Sequence, residues 1–529
     1  VIANARRAGV VPAAAMAVGG LVVFAVLVRA YFAYTVDDTY IFLRYAKHLA
    51  TGAGLTWNPG EPPAEGYTSF SWTVLLAVPH LLHVDAVIAA KGMSVACMVG
   101  AAAAAARLAW QLGVGVDDAR RWLAPGAAAF LVLTPTATAV HAVSGMETAF
   151  ATLLVTLFAL ATERVVRGAD GDRRAPWWMA ASGFALGLTR PEGNLLVVVV
   201  TVGALVRLPR AARGPVVRAF GVGYALPGAL YFAWRLARYR HLLPLPFYVK
   251  AIAPSVNGAA FAGAPECLEL LRLLTIAQPW IGVPLVVGVG GGWRRTAVLP
   301  LLAGIAVWWL FFLFPRHEMG YDLRYLYPLV PSLMALAGAG VARLAARVAS
   351  RVPTVVWPAC LAILVATTAY RHLDGSLAEK RDYGAGVLRA HAALGRALAA
   401  SHPPGRAVVA ALDCGAMAYY ADGWSVIDTW GLNDPEIALA AAHGGRSAER
   451  ILARDPTVIV VISQRREAFV PHFEYEGPLY AQALARGYRH DATFEFLPDY
   501  QLWVLARPPL VVSAPDHAPS PTGTPSSGR

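Results

Sequence analysis

Asp37 and Asp38 stand side by side directly after the first membrane-length apolar run of the chain, residues 11–34. An acidic pair at a bilayer surface costs desolvation and like-charge repulsion, so a chemical use is one reading. A carboxylate at the edge of a low-dielectric cavity can take the proton of a hydroxyl. Its neighbour can hold an orienting hydrogen bond or, at Asp38, a divalent cation such as Mg2+, Mn2+ or Ca2+. The other reading is a hydrated interfacial turn. Lys250 is one of four lysines, with Lys47, Lys91 and Lys380, and closes an apolar and aromatic segment that begins at Leu245. An ammonium there suits a lipid phosphate at headgroup depth, with snorkelling as the alternative.

Further polar residues gather in short segments between apolar runs. Trp57, Glu65 and Tyr67 lie in a loop rich in turn residues, 54–68. Their rings could stack on a sugar or sit in an aromatic belt. Glu147 and Glu192 each begin an apolar run, where a carboxylate also complements a helix dipole. Arg190 precedes Glu192 at a Pro-Gly turn. Arg316, His317, Glu318, Asp322 and Arg324 crowd one boundary segment, which suits an anion or substrate site as well as a solvated loop.

The elements that must position these residues are membrane helices. Of 529 residues, 57% are hydrophobic and only 15% charged, and apolar stretches of span length recur. The net charge of +12 is carried mostly by arginines in short loops, which fits membrane topology rather than nucleic acid. Arginine clusters fall at 6–7, 120–121, 164–174, 207–218, 294–295 and 343–351. Placing all six in the cytoplasm pairs the spans as 11–34 with 85–112, 122–140 with 146–163, 176–189 with 192–207, 215–235 with 276–291, and 297–314 with 325–342. A last span at 354–370 then leads outward, for about eleven in all. Every chemical motif lands on the outer side. The stretch 69–83 reads as a helix lying along the interface or dipping into it, anchored by Trp72.

The expected domains are a membrane unit, 1–370, with its first outer loop at 35–84; an α/β domain outside the membrane, 371–508; and a disordered Pro/Ser/Thr-rich tail, 509–529. Strands are expected at 406–412, 424–427, 457–462 and 501–506, with helices near 384–400, 436–442 and 446–454. The four cysteines, Cys97, Cys267, Cys360 and Cys414, give neither a disulfide framework nor metal-ligand spacing. The N-terminal apolar run reads as a retained span, not a cleaved signal.

These motifs resemble those of the GT-C superfamily, multi-spanning glycosyltransferases that use polyprenyl-phosphate sugars. The match is strongest to the terminal β-(1→2)-arabinofuranosyltransferase family of actinobacterial cell-wall arabinan synthesis. It rests on Asp37-Asp38-Thr39-Tyr40, Arg44-Tyr45, Gly54 to Glu61, Glu65 to Thr68, Ser144 to Glu147, Leu188 to Glu192, Leu243 to Lys250, and Ile427 to Asp434. It covers nearly the whole chain except the termini. Relatives often carry Gly-Gly-Asp, a spacer and an arginine; here Met319 to Arg324 has the acid closer to the arginine, so the role carries to Arg324 rather than Asp322.

The resemblance implies a GT-C-type polytopic helical membrane protein in the plasma membrane, with its active centre at Asp37 and Asp38 open to the outer face. Lys250, Arg324 and Arg190 would meet the donor phosphate. Glu65, Tyr67, Trp57, Glu147, Glu192 and His317 would bind substrate. The partners are a polyprenyl-phosphate-linked sugar, a cell-envelope glycan acceptor and membrane lipid. No cofactor is implied beyond a divalent cation that Asp38 could hold. A lipid-linked glycan transporter or flippase, or a non-catalytic assembly subunit, is the alternative. Ionisable residues gathered at one face, no visible repeat and a sizeable polar domain favour the enzyme.

Overall fold

The computed structural model describes residues 2–168, 172–253, 261–291, 293, 296–348, 352–401, 407–445, 447–508, 510 and 512. Arg294, Arg295, Arg406 and nearly all of the tail at 509–529 lie outside the described residues. The chain divides into two compact units: Val1–Gly384 with Gly431–Gly445, and Ala385–Trp430 with Arg446–Arg529. The composition change near 371 falls inside one long helix, Val356–Gly386.

The first unit is a multi-pass helical membrane assembly. Five helices among the described residues are long and apolar enough to cross a bilayer: Gly9–Tyr31, Ala86–Leu112, Thr148–Arg167, Arg210–Tyr239 and Tyr327–Arg347. Two bent pairs, Asp118–Leu133 with Thr136–Val143 and Ala264–Thr275 with Trp280–Gly290, raise the number to seven. The difference from eleven has a physical origin. The runs at 176–189, 192–207 and 297–314 form helices of 15 residues each, Ala175–Thr189, Gly193–Arg207 and Val298–Phe312. Such a helix is about 22 Å long, short of a hydrocarbon core of about 30 Å. The run at 122–140 is broken by Pro135, which has no N–H to give, and the two halves meet at 61°. Thr138 donates its hydroxyl to the Val132 carbonyl (2.6 Å), satisfying an acceptor that the break leaves open.

The stretch 69–83 forms a 12-residue helix, Phe70–Leu81, too short to span. Trp72 is not its interfacial anchor. It is fully buried and donates from Nε1 to the Gly145 carbonyl at 3.1 Å.

The arginines of the loops cap helix ends. Arg121 donates to the Trp110 carbonyl, Arg167 to that of Gln111 and Arg343 to that of Leu112. Three arginine clusters therefore converge on the C-terminal end of Ala86–Leu112, where unsatisfied carbonyls favour cations. Near the other end of that helix, Lys91 donates to the Tyr34 carbonyl at 2.9 Å, three residues before Asp37. A helix of 27 residues is about 40 Å long, so the acidic pair and the arginines sit at opposite ends of the bundle.

The second unit holds a five-stranded mixed sheet of β1 (Val408–Ala411), β2 (Ser425–Asp428), β3 (Val458–Ser463), β4 (Arg489–Leu497) and β5 (Tyr500–Ala506), in the order β2-β1-β3-β5-β4. β1 pairs in parallel with β2 and β3, while β5 runs antiparallel to β3 and β4. β3 is buried at all six positions, as its run of Val and Ile demands. β4 was not expected, because its charged, half-exposed start at Arg489-His490-Asp491 hides the alternation that follows. The helix Pro435–Ala442 lies in the chain of the second unit by sequence but packs in the first.

Candidate active site

Asp37 and Asp38 open the helix Asp37–Ala50 directly after its N-cap, Val36. Acidic residues in a first turn complement the helix dipole, so the element itself tolerates both. Adjacent helical residues point about 100° apart, and the two aspartates have different surroundings. Asp38 lines a cavity; Asp37 does not line it, and its backbone N–H approaches the Tyr383 hydroxyl at 3.4 Å.

The helix start is docked on the segment Ser144–Glu147. The Ser144 carbonyl accepts from Val36 N (3.1 Å) and from the Thr39 hydroxyl (2.8 Å). Gly145 sits at φ +83°, and a Cβ there would meet Thr39 Cγ2 at 2.5 Å. Only glycine lets the two chains come this close with that backbone. The contact fixes Glu147 beside the same cavity as Asp38.

Glu147 is buried and joins two guanidinium groups. It accepts from Arg190 Nη2 at 2.8 Å and from Arg324 Nη2 at 3.2 Å. Arg190 also donates from Nη1 to Glu192 at 3.0 Å. The Tyr325 ring lies 5.5 Å from each guanidinium carbon. Burial works against ionised Glu147, but Arg324 and Arg190 outweigh it and hold the carboxyl below its ordinary range. Arg324 is raised in turn: burial opposes its charge, and Glu147, Tyr321, Tyr325 and Asp38 together outweigh it. Arg190 Nε and Arg324 Nε and Nη1 are buried without a hydrogen-bond acceptor. Buried guanidinium N–H groups left without an acceptor invite an anion.

Lys250 follows the short helix Leu245–Phe247 in a widened turn, Tyr248–Ile252. Its Nζ lies 3.5 Å from Asp38 Oδ2, and both side chains keep about a fifth of their surface exposed. Burial is the largest influence and disfavours the ammonium, but Asp38 together with Tyr325 and Glu318 outweighs it and Lys250 stays charged. Four cations (Lys250, Arg190, Arg316 and Arg324) and three carboxylates (Asp38, Glu147 and Glu192) thus line one cavity.

Other expected site residues lie outside that lining. Glu65 is buried against Arg235 at 2.7 Å; burial pushes its carboxyl up to about 7 against the pull of the arginine. Its carbonyl accepts from Leu245 N at 3.1 Å, tying the first loop to the Lys250 segment. The Tyr67 ring is buried, with its hydroxyl 2.8 Å from that of Tyr239. Trp57 is buried under Arg44, which donates to the Trp57 carbonyl at 3.0 Å. These rings hold the loop together. His317 is buried, donates from Nε2 to the Phe312 carbonyl at 2.9 Å, and is shifted down by burial. Gly66 and Thr68, between and beside the buried rings, do reach the cavity, as does Leu432.

With this geometry in place, the chain can be set beside known proteins. A family described as "Domain of unknown function (DUF8728)" matches residues 381–512. No curated protein matches. Among solved structures, ArnT from Cupriavidus metallidurans bound to undecaprenyl phosphate is similar at TM-score 0.57 and 15% identity, covering 93% of this chain and 97% of that one. Its apo form gives 0.58 and 15%, covering 93% and 98%. The oligosaccharyltransferase of Archaeoglobus fulgidus gives 0.47 and 10%, covering 89% and 71%. The fold is GT-C-like.

Within this fold Tyr325 is a site residue that sequence reading missed, since one more aromatic beside an apolar run carries no signal. A divalent cation on Asp38 does not fit the surroundings. No cluster of three or more His, Cys, Asp or Glu able to hold a metal occurs among the described residues, and Lys250 already faces the carboxylate. Hard divalent ions take six or more oxygen ligands, and the neighbouring Glu147 and Glu192 are engaged by Arg190.

Proposed function

We propose that this chain is a membrane glycosyltransferase that moves a sugar from a polyprenyl-phosphate donor to a cell-envelope glycan at the outer face of the plasma membrane. One observation carries the reading: Asp38 and Lys250 face each other in a cavity where Arg190 and Arg324 offer unsatisfied N–H groups. The likeness of fold to ArnT, solved with undecaprenyl phosphate, supports it. Pentose, and arabinofuranose in particular, is favoured over hexose only by the sequence resemblance.

The donor phosphate sits against Lys250 and the free edges of Arg324 and Arg190. Asp38 takes the proton of an acceptor hydroxyl as its oxygen bonds to the anomeric carbon. The bond from that carbon to the phosphate oxygen breaks, and the electron pair leaves with the lipid phosphate. The fixed cations stabilise the charge that develops there without reorganising. A second cavity of about 360 Å³ shares Thr68 and Pro191 with the first. Phe184, Leu188, Tyr231 and Phe232 line it, so the first isoprene units have an apolar path away from the phosphate.

The test is sugar transfer by the purified protein in vesicles, using radiolabelled polyprenyl-phosphate pentose and hexose donors and an arabinan acceptor. Asp38→Asn should lower transfer at least about 100-fold, the scale of general-base loss. Full transfer by that variant would refute the mechanism. Lipid movement across the bilayer without transfer by the wild type would favour the flippase.

A further inference from the structure

A larger cavity of about 800 Å³ lies in the same unit on the other side of the segment 321–325. Tyr321, Asp322 and Leu323 line it, whereas Arg324 and Tyr325 line the phosphate cavity. The wall between them is held in an unusual backbone. Asp322 and Leu323 have φ of 48° and 57°, a region costly for residues with a Cβ. Two contacts maintain it. His141 Nε2 bonds the Asp322 carbonyl at 3.0 Å, and Lys380 Nζ lies 3.5 Å from Asp322 Oδ2.

The chemistry of the lining selects its occupant. The charges of the lining are largely paired within the protein: Lys380 meets Asp322 at 3.5 Å and Glu379 at 3.0 Å, and Glu269 is bound by Arg272 at 2.7 Å, so neither an anion nor a cation finds a free counter-charge. Gln278 offers both a donor and an acceptor, and Trp280 and Tyr321 offer flat apolar rings. An uncharged ligand that both donates and accepts hydrogen bonds and has apolar C–H faces meets all of these demands. The volume is that of an ordinary ligand pocket, in the range of about 300–1,000 Å³.

We propose that this cavity binds a neutral oligosaccharide. Its role as the seat of the acceptor, one residue from Arg324, rests on the proposed transferase reading; the binding itself does not.

The experiment is calorimetric titration of the full chain in nanodiscs with arabinan hexasaccharide, mannohexaose, an anionic galacturonate hexamer and spermine. In parallel, undecaprenyl phosphate is titrated to report on the other cavity. A neutral hexasaccharide should bind, and Gln278→Ala and Asp322→Asn should each weaken it at least tenfold while changing undecaprenyl phosphate affinity less than twofold. Ala137→Trp, which fills the cavity from one wall, should abolish it; if that variant does not fold, the two polar variants decide. Binding of neither neutral hexasaccharide, preference for spermine or the galacturonate, or neutral binding indifferent to both polar variants would overturn the proposal. Loss of undecaprenyl phosphate binding in the wild type with oligosaccharide binding intact would instead sink the transferase reading and leave this site standing.

Discussion

At the scale of single residues, the candidate site sets unlike charges close against one another. Lys250 stays charged with Asp38 3.5 Å away, and Glu147 lies between Arg190 and Arg324 at 2.8 and 3.2 Å. Asp37, one residue away on the same helix, does not line the cavity. Asp37→Asn should therefore retain transfer within about tenfold while Asp38→Asn does not, since general-base loss costs about 10²–10⁴-fold. The reverse order in a vesicle transfer assay would give the base to Asp37. In the proposed reaction Lys250→Ala removes a phosphate contact made before and during the transfer. It should raise the donor KM more than it lowers kcat, and an unchanged donor dependence would remove Lys250 from the site. Glu147→Ala leaves two buried guanidinium groups without their shared carboxylate. Breaking such a pair costs about 3–5 kcal/mol, so thermal unfolding in detergent should move down by several degrees at least, together with loss of transfer. Glu147→Gln keeps one acceptor oxygen and should lie between the two.

At the scale of elements, close backbone approaches set the site more than any one helix. Gly145 lets Ser144–Glu147 dock on the start of Asp37–Ala50, and this is what brings Glu147 beside Asp38. Gly145→Ala forces a left-handed backbone costing about 1–2 kcal/mol and drives a methyl into Thr39. It should lower kcat while leaving the fold's circular dichroism intact; full activity would show that the docking does not position the pair. Such approaches explain what the sequence made legible. Residue type and hydropathy were enough to bring Asp38, Lys250, Arg190, Glu147, Glu192 and Arg324 to one end of a helical bundle, because charge is expensive in lipid and gathers at span ends. They could not show that Glu147 would be shared by arginines 43 and 177 residues away, which is a matter of packing. They also could not show that Trp57 and Tyr67 would be spent on the loop's own core, since a buried ring and a sugar-stacking ring look alike in sequence. Hydropathy counts apolar runs, not breaks, so Pro135 and the 15-residue helices were invisible to it.

At the scale of the whole molecule, the chain joins a helical membrane unit to a second unit built on a sheet of its own. In the second unit Glu476 is buried and accepts from Ile462 N at 2.8 Å and Phe473 N at 3.3 Å. Burial pushes its carboxyl from an ordinary 4.5 up to about 8; the two N–H groups resist and nearby Asp413 adds to the rise. The folded state thus holds the proton more tightly than the unfolded chain. Any stability this supplies is complete below about pH 4.5, declines as pH rises and is gone above about pH 8. At about 1.4 kcal/mol per unit the effect is at most a few kcal/mol. Hydrogen exchange, corrected for intrinsic rates, should show the opening free energy of β3 falling between pH 5.5 and 8.5 in the full chain. Peptides from Ala86–Leu112 should not follow it, because Glu476 belongs to the other unit. Glu476→Gln, neutral at every pH, should flatten the slope for β3 while leaving donor binding at the first unit unchanged. A wild-type slope that is flat, or one that survives in Glu476→Gln, would mean that this carboxyl is ionised in the fold and that its two backbone donors outweigh its burial.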